Sequence, residues 1–152
     1  MTVYANIGSN QGDRHALIEQ AVALIAKSFP DGRIRNSDYI ESEPWGYDSP
    51  NAFLNLGIAI DLDVAEGIGP ELVLDRLLTV ERCVSDSPHR NADGSYRDRP
   101  IDIDLIAIDF LEVNTPNLIL PHPRAHLRDF VMIPLRQLAP ESLIDWLLNV
   151  ST

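Results

Sequence analysis

Residues 99–105 read Arg-Pro-Ile-Asp-Ile-Asp-Leu. Aspartate is depleted in strands, yet two sit here among Ile and Leu. On a strand, Asp102 and Asp104 point one way and Ile101, Ile103 and Leu105 the other. Two carboxylates side by side repel unless a cation lies between them. A hard divalent ion such as Mg²⁺, shared with substrate phosphates, is the natural partner. Arg99, just upstream, suits a phosphate held by that ion. With 23 acidic residues in 152, such pairs also arise by chance, as at Glu41/Glu43 and Asp61/Asp63. Asp61 and Asp63 close an apolar run, where a solvated strand end accounts for them. Asp102 and Asp104 open one, Leu105-Ile106-Ala107-Ile108, at the edge of a core where bare charge is costly.

The net charge of −11 argues against nucleic-acid or anionic-membrane partners. The cations are 11 Arg and one Lys, with Arg82, Arg90, Arg97, Arg99, Arg124, Arg128 and Arg136 all in the second half. A cluster of guanidinium groups in an acidic chain suits a small polyanion, although a plain bias toward Arg explains part of the skew. The single cysteine, Cys83, excludes an internal disulfide and fits a reducing cytoplasm. No run of 18 apolar residues exists to span a membrane.

Several elements must position these groups. Val3, Ala5 and Ile7 mark a first strand over 2–8. A turn at Gly8–Asp13 leads to a helix reaching about Ser28, with Asp13 placed to cap it. Residues 33–40 read as an edge strand and 41–51 as a loop. Residues 53–62 alternate most clearly: Leu54, Leu56, Ile58, Ile60 and Leu62 belong to the core. Phe53, Asn55, Gly57 and Ala59 share the opposite face, which could be the floor for a flat polar ligand or a surface under a helix. A helix opens at Gly69-Pro70-Glu71 and carries Glu81 at the margin of its apolar face, where such an acid usually reaches water. Residues 85–98 form a long polar loop, of the kind that is a functional lid or disordered. The pair-bearing strand covers 101–110, a helix runs from about Arg124 to Leu138, and Trp146-Leu147-Leu148 packs a final short segment. The order β-α-β-β-α-loop-β predicts one α+β domain over 1–152, a ferredoxin-like sandwich with a mostly antiparallel sheet covered by helices and a C-terminal extension. Gly8–Gly12 lacks the Lys-Ser/Thr ending of a P-loop.

Four segments together resemble one family. They are Ile7-Gly8-Ser9-Asn10-Gln11-Gly12-Asp13-Arg14; Ser42-Glu43-Pro44-Trp45-Gly46 with Phe53-Leu54-Asn55; Arg99-Pro100-Ile101-Asp102-Ile103-Asp104; and Leu120-Pro121-His122-Pro123-Arg124 with His126, Arg128, Phe130 and Pro134-Leu135. In order and spacing they resemble the 6-hydroxymethyl-7,8-dihydropterin pyrophosphokinases of folate biosynthesis. The resemblance implies transfer of diphosphate from ATP to the pterin's hydroxymethyl group, releasing AMP. It implies two Mg²⁺ on Asp102 and Asp104, and triphosphate contacts from Arg99, His122 and Arg128. It places the pterin between Phe53 and Phe130, with Asn55 and Ser42 on the ring's amide edge and the backbone near Glu43 and Trp45 beside it. Without it, Phe130 would read as a core residue. Pro123 makes His122 extended, against a His122-x-x-x-His126 zinc pair.

The chain departs from the family pattern where a Gly-Arg-x-Arg element is common. Here Cys83-Val84-Ser85-Asp86-Ser87-Pro88-His89-Arg90 stands in its place. Arg90 and Arg97 are the substitutes for phosphate contact, Glu81 joins them as a nucleotide-side candidate, and Tyr96 stands where an aromatic covers the pterin. A cytoplasmic monomer acting on ATP and the pterin is expected. A weakened paralogue that binds only nucleotide, and another Mg²⁺-dependent phosphoryl or nucleotidyl transferase, are the alternatives.

Overall fold

The computed structural model describes residues 1–63 and 67–151. Its main sheet has four strands: β1 (Thr2–Ser9), β2 (Arg33–Ser42), β3 (Phe53–Asp61) and β4 (Asp102–Ile108). Their order is β2-β3-β1-β4, and every neighbouring pair is antiparallel. Helix α1 (Arg14–Ser28) links β1 to β2, and α2 (Pro70–Val84) follows β3. This is the expected split β-α-β sandwich. The β2 strand lies at one edge, as its polar sequence implies, and β4 at the other.

Alternation sorts the strands onto two faces. Val3, Ala5, Ile7, Leu56, Ile58 and Ile60 are buried in a core shared with Ile18, Ile25 and Leu77 of α1 and α2. Leu54, expected in that core, is only partly buried at its rim. The Asp13 side chain accepts from Ala16 N at 3.1 Å and caps α1, worth about 1 kcal/mol.

The opposite face carries a second core, under α3 (Asp129–Leu138) and α4 (Glu141–Val150), which includes Tyr4, Ala59, Ile106, Leu135 and Leu147. At Gly57 a Cβ would come within 2.6 Å of Pro134 Cβ, so the missing side chain lets α3 lie directly on the sheet. A short hairpin, β5 (Val113–Asn114) with β6 (Ile119–Leu120), precedes a cis Leu120–Pro121 bond.

Three boundaries differ from expectation. The helix from Arg124 is broken: Ala125–Leu127 is a single 3₁₀ turn, Arg128 is extended (φ −120°, ψ 107°), and α3 starts at Asp129. The Arg128 N–H is satisfied by Ala125 O, so the turn closes before the α-helix begins. The last segment is a full helix, α4, because Leu143, Ile144 and Leu147 share a buried face. The fourth strand is trimmed to 102–108; Asp109 turns the chain with φ 44° while its carboxylate accepts from Thr2 N.

Candidate active site

The sheet face under α3 is left open at one end, beyond Gly57. There Phe53 and Asn55 of β3, Asn6 and Gly8 of β1, and Asp102 and Asp104 of β4 line one hollow with Phe130 of α3. Register explains the grouping: Gly8 pairs with Asn55 and Asp102, while Asn6 pairs with Gly57 and Asp104. The Phe53–Ala59 face is therefore covered by α3 at its Gly57–Ala59 end and open to a hollow at its Phe53–Asn55 end. Gly8 keeps the floor flat, since a Cβ there would stand 3.2 Å from Asn55 Oδ1.

This hollow is a slot with about 30 Å³ of free volume, room for a water or two. Ser42, Glu43, Trp45, Tyr96, Arg99 and Arg128 complete its walls. Asn55 Nδ2 donates to Ser42 Oγ (2.8 Å) and Ile40 O (3.1 Å), leaving the Asn55 carbonyl and the Ser42 hydroxyl hydrogen for a ligand. Arg128 lies 4.4 Å over Trp45 and 5.7 Å from Phe130, and Arg99 is 5.6 Å from Phe53.

A wider trough of about 350 Å³ adjoins it. The two share Tyr96, Arg99, Asp102, Asp104 and Arg128, and the trough adds His89, Arg90, His122, Pro123 and Arg124. Arg99 Nε stands 3.7 Å from Asp102, and Arg128 Nη1 3.8 Å from Asp104. Burial pushes the Asp104 carboxyl up to about 7, helped by the neighbouring Asp102 charge. Asp102 is raised too, mainly by burial, despite Arg99 and His89. Arg99 and Arg128 oppose that shift without outweighing burial. Burial, with Arg128 and Arg124, pushes His122 down to about 4. Its Nδ1 accepts from Arg124 N at 3.1 Å, so the neutral ring carries its proton on Nε2 as a donor.

Four buried side-chain N/O atoms lack a hydrogen-bond partner among the described residues: Asn6 Oδ1, Arg99 Nε, Arg128 Nε and His126 Nδ1. Three belong to residues lining the slot. Buried polar groups are normally paired, so unsatisfied polar atoms are concentrated at this end of the sheet.

Other candidates fall elsewhere. Glu81 is buried and lines neither hollow. Its Oε2 accepts from Ile103 N at 2.8 Å and its Oε1 from His89 Nε2 at 2.9 Å, bracing β4 between the two aspartates. Arg97 lines a separate hollow on the outer side of the loops, with Tyr47 and Asn91. Arg90 lines the trough, but its guanidinium stacks 4.1 Å over Tyr96 and donates to Gly94 O. Among the described residues, the one group of three acids or histidines close enough to share an ion is Glu81, His89 and Asp102; no such group contains His122 and His126.

Sequence reasoning missed three parts of the site. His89 also faces Asp102, at 3.7 Å; its place in the departing Gly-Arg-x-Arg segment was the available signal. Asn6 is a polar residue in an otherwise apolar strand. Asp98 accepts from Asn10 Nδ2 (2.8 Å), Tyr47 Oη (2.9 Å), Ser49 Oγ (3.0 Å) and Asn51 Nδ2 (2.6 Å). Burial works against its charge, yet these bonds hold its carboxyl below the usual range. Asn10 also accepts from Arg99 N at 2.8 Å. One carboxylate thus ties three loops together and fixes the backbone at Arg99.

The chain as a whole is similar to known proteins. Residues 4–140 match the model of the 7,8-dihydro-6-hydroxymethylpterin-pyrophosphokinase (HPPK) family. The chain belongs to this family. Relatives named 2-amino-4-hydroxy-6-hydroxymethyldihydropteridine pyrophosphokinase include one from Porphyromonas gingivalis, 39% identical over 91% of this chain and 90% of its own length. Others are from Methylorubrum extorquens, 34% identical over 93% and 84%, and Bacillus subtilis, 28% identical over 91% and 78%. Among the described residues no helix is long and apolar enough to cross a membrane.

Proposed function

We propose that this HPPK-family chain transfers the terminal diphosphate of ATP to the hydroxymethyl oxygen of 6-hydroxymethyl-7,8-dihydropterin, giving AMP and the pterin diphosphate in folate biosynthesis. The carrying observation is the position of Asp102 and Asp104 at the seam between an aromatic slot and a cationic trough. Once the slot's walls part, a flat ring would lie in it stacked by Phe53 and Phe130, with its amide edge on Asn55, Ser42 and the backbone of Glu43 and Trp45, and with Tyr96 above. The triphosphate fits the trough, against Arg99, His122, Arg128 and Arg90. An apolar hollow of about 330 Å³, lined by Leu74, Leu78, Ile103 and Leu118, meets the trough at Asp104 and His122 and suits the adenosine end. Glu81 serves by bracing β4, and Arg97, which lines neither the slot nor the trough, is assigned no phosphate contact.

The donor set fits Mg²⁺: two carboxylates, hard oxygen ligands, on one strand face with a triphosphate to complete the coordination. We assign two ions to Asp102 and Asp104; when bound, they supply Lewis-acid charge at the β-phosphate and a template for in-line approach. The hydroxymethyl oxygen bonds to the β-phosphorus, and the bond from that phosphorus to the oxygen bridging to the α-phosphate breaks. The bridging oxygen leaves with AMP and the hydroxyl proton is released. Arg99 and Arg128 offset charge on the transferred group, and neutral His122 donates its Nε2 hydrogen to a phosphate oxygen. We assign this activity to a monomer in the cytoplasm. The test is AMP release from MgATP with the hydroxymethyl dihydropterin. Turnover is expected, and its absence in the intact protein overturns the assignment.

A further inference from the structure

We propose that Asn6 is an additional substrate-recognition residue, its carbonyl oxygen accepting a hydrogen bond from an N–H or O–H on the ring edge that faces Asp104. This rests on the reading that the slot takes the heterocyclic acceptor. Asparagine is depleted in strands, and Asn6 sits in a central one. Only 5% of it is exposed. Its strand pairs on both sides, with β3 and with β4, so the sheet occupies the backbone and leaves the carboxamide outstanding. The Oδ1 is buried without a partner.

The neighbours explain why the fold does not satisfy it. Across β3 stands Gly57, which has no side chain, covered by Pro134, which has no N–H. Across β4 stands Asp104, facing Arg128. Ahead lies the slot, with Asn6 in its lining. A group entering the slot is therefore the available partner. Its position beside Asp104 puts that partner on the edge nearest the transferred phosphate, opposite the edge met by Asn55 and Ser42. Asn6 would thus select for a donor on an edge that Asn55 does not read.

The test is calorimetric titration of wild type, Asn6→Ala and Asn6→Ser with the hydroxymethyl dihydropterin in the presence of a non-hydrolysable MgATP analogue, beside thermal melts. For Asn6→Ala the pterin Kd should rise about tenfold, as for loss of one buried hydrogen bond. The analogue's own Kd should stay within about twofold, and the apo Tm should not fall, because removing an unpaired buried group relieves the free protein. Unchanged pterin affinity would overturn the inference, as would equal loss of nucleotide affinity or a lowered Tm in both variants. Failure of wild type to bind the pterin would instead bring down the slot assignment, and this inference with it.

Discussion

The slot and the trough share five residues and differ in most other respects. The slot has strands for its floor, aromatic rings in its walls and about 30 Å³ of space. The trough is lined by arginines and histidines and is some tenfold larger, at about 350 Å³. A polyanion can settle in the trough as it stands. A bicyclic ring enters the slot only after its walls part. Those walls include Trp45 and Tyr96, both on loops, and arginines of the trough rest on both: Arg128 and Arg124 over Trp45, and Arg124 on the Tyr96 hydroxyl at 3.0 Å. The slot therefore trades openness for enclosure, while the trough trades enclosure for ready charge. Their common border is the aspartate pair, where both requirements meet.

Substitution at that border should do most damage. Asp102→Ala or Asp104→Ala should lower AMP release on the order of a thousandfold or more while the far-UV circular dichroism stays native; near-normal turnover would remove the metal role from the pair. Arg128 belongs to both hollows, so Arg128→Ala should cost about a hundredfold in kcat/KM for each substrate. A loss confined to one substrate would show that the hollows work separately. Phe53 belongs to the slot alone. Phe53→Ala should raise the KM for the pterin about tenfold and leave that for ATP unchanged, and an equal rise for ATP would contradict the division.

The smallest effect is on stability against pH. Folding raises the Asp104 pKa to about 7, so the folded, metal-free protein holds a proton that the unfolded chain gives up near 4. The stabilising contribution of this group is full below pH 4 and is lost as pH rises through about 7. Denaturant midpoints of apo protein should therefore carry a falling component between about pH 4 and about pH 7. Saturating Mg²⁺ should flatten it, because bound cation replaces the proton; an identical slope with and without Mg²⁺ would count against cation binding there.

The strand-built parts of the molecule were the most legible in the sequence. Alternation over Phe53–Leu62 and at Asp102–Asp104 reports a face directly, because one side of the sheet is apolar. Phe130 was not legible that way: its helical spacing matched a core residue, and only the family resemblance placed it at a ligand. The broken start of α3 was hidden because apolar spacing continues through a 3₁₀ turn. Least legible was the 85–98 loop. A polar segment has no period, and its partners lie far along the chain, Asp98 with Asn10 and His89 with Glu81. For the same reason Arg97 could not be told from Arg90, although they ended in different hollows.

The placement of the two tryptophans gives the protein an optical reporter of its own. Trp45 lies in the slot wall under the Arg128 guanidinium, whereas Trp146 packs edge-on against Phe110, beside the second core. Indole emission responds to a nearby charge and to water, so a ring that displaces Arg128 from Trp45 alters one signal and leaves the other as an internal constant. Replacing Trp146 with Phe would leave a single indole whose emission colour and lifetime, excited at the red edge where the four tyrosines do not absorb, follow the state of the slot in real time, with no label attached.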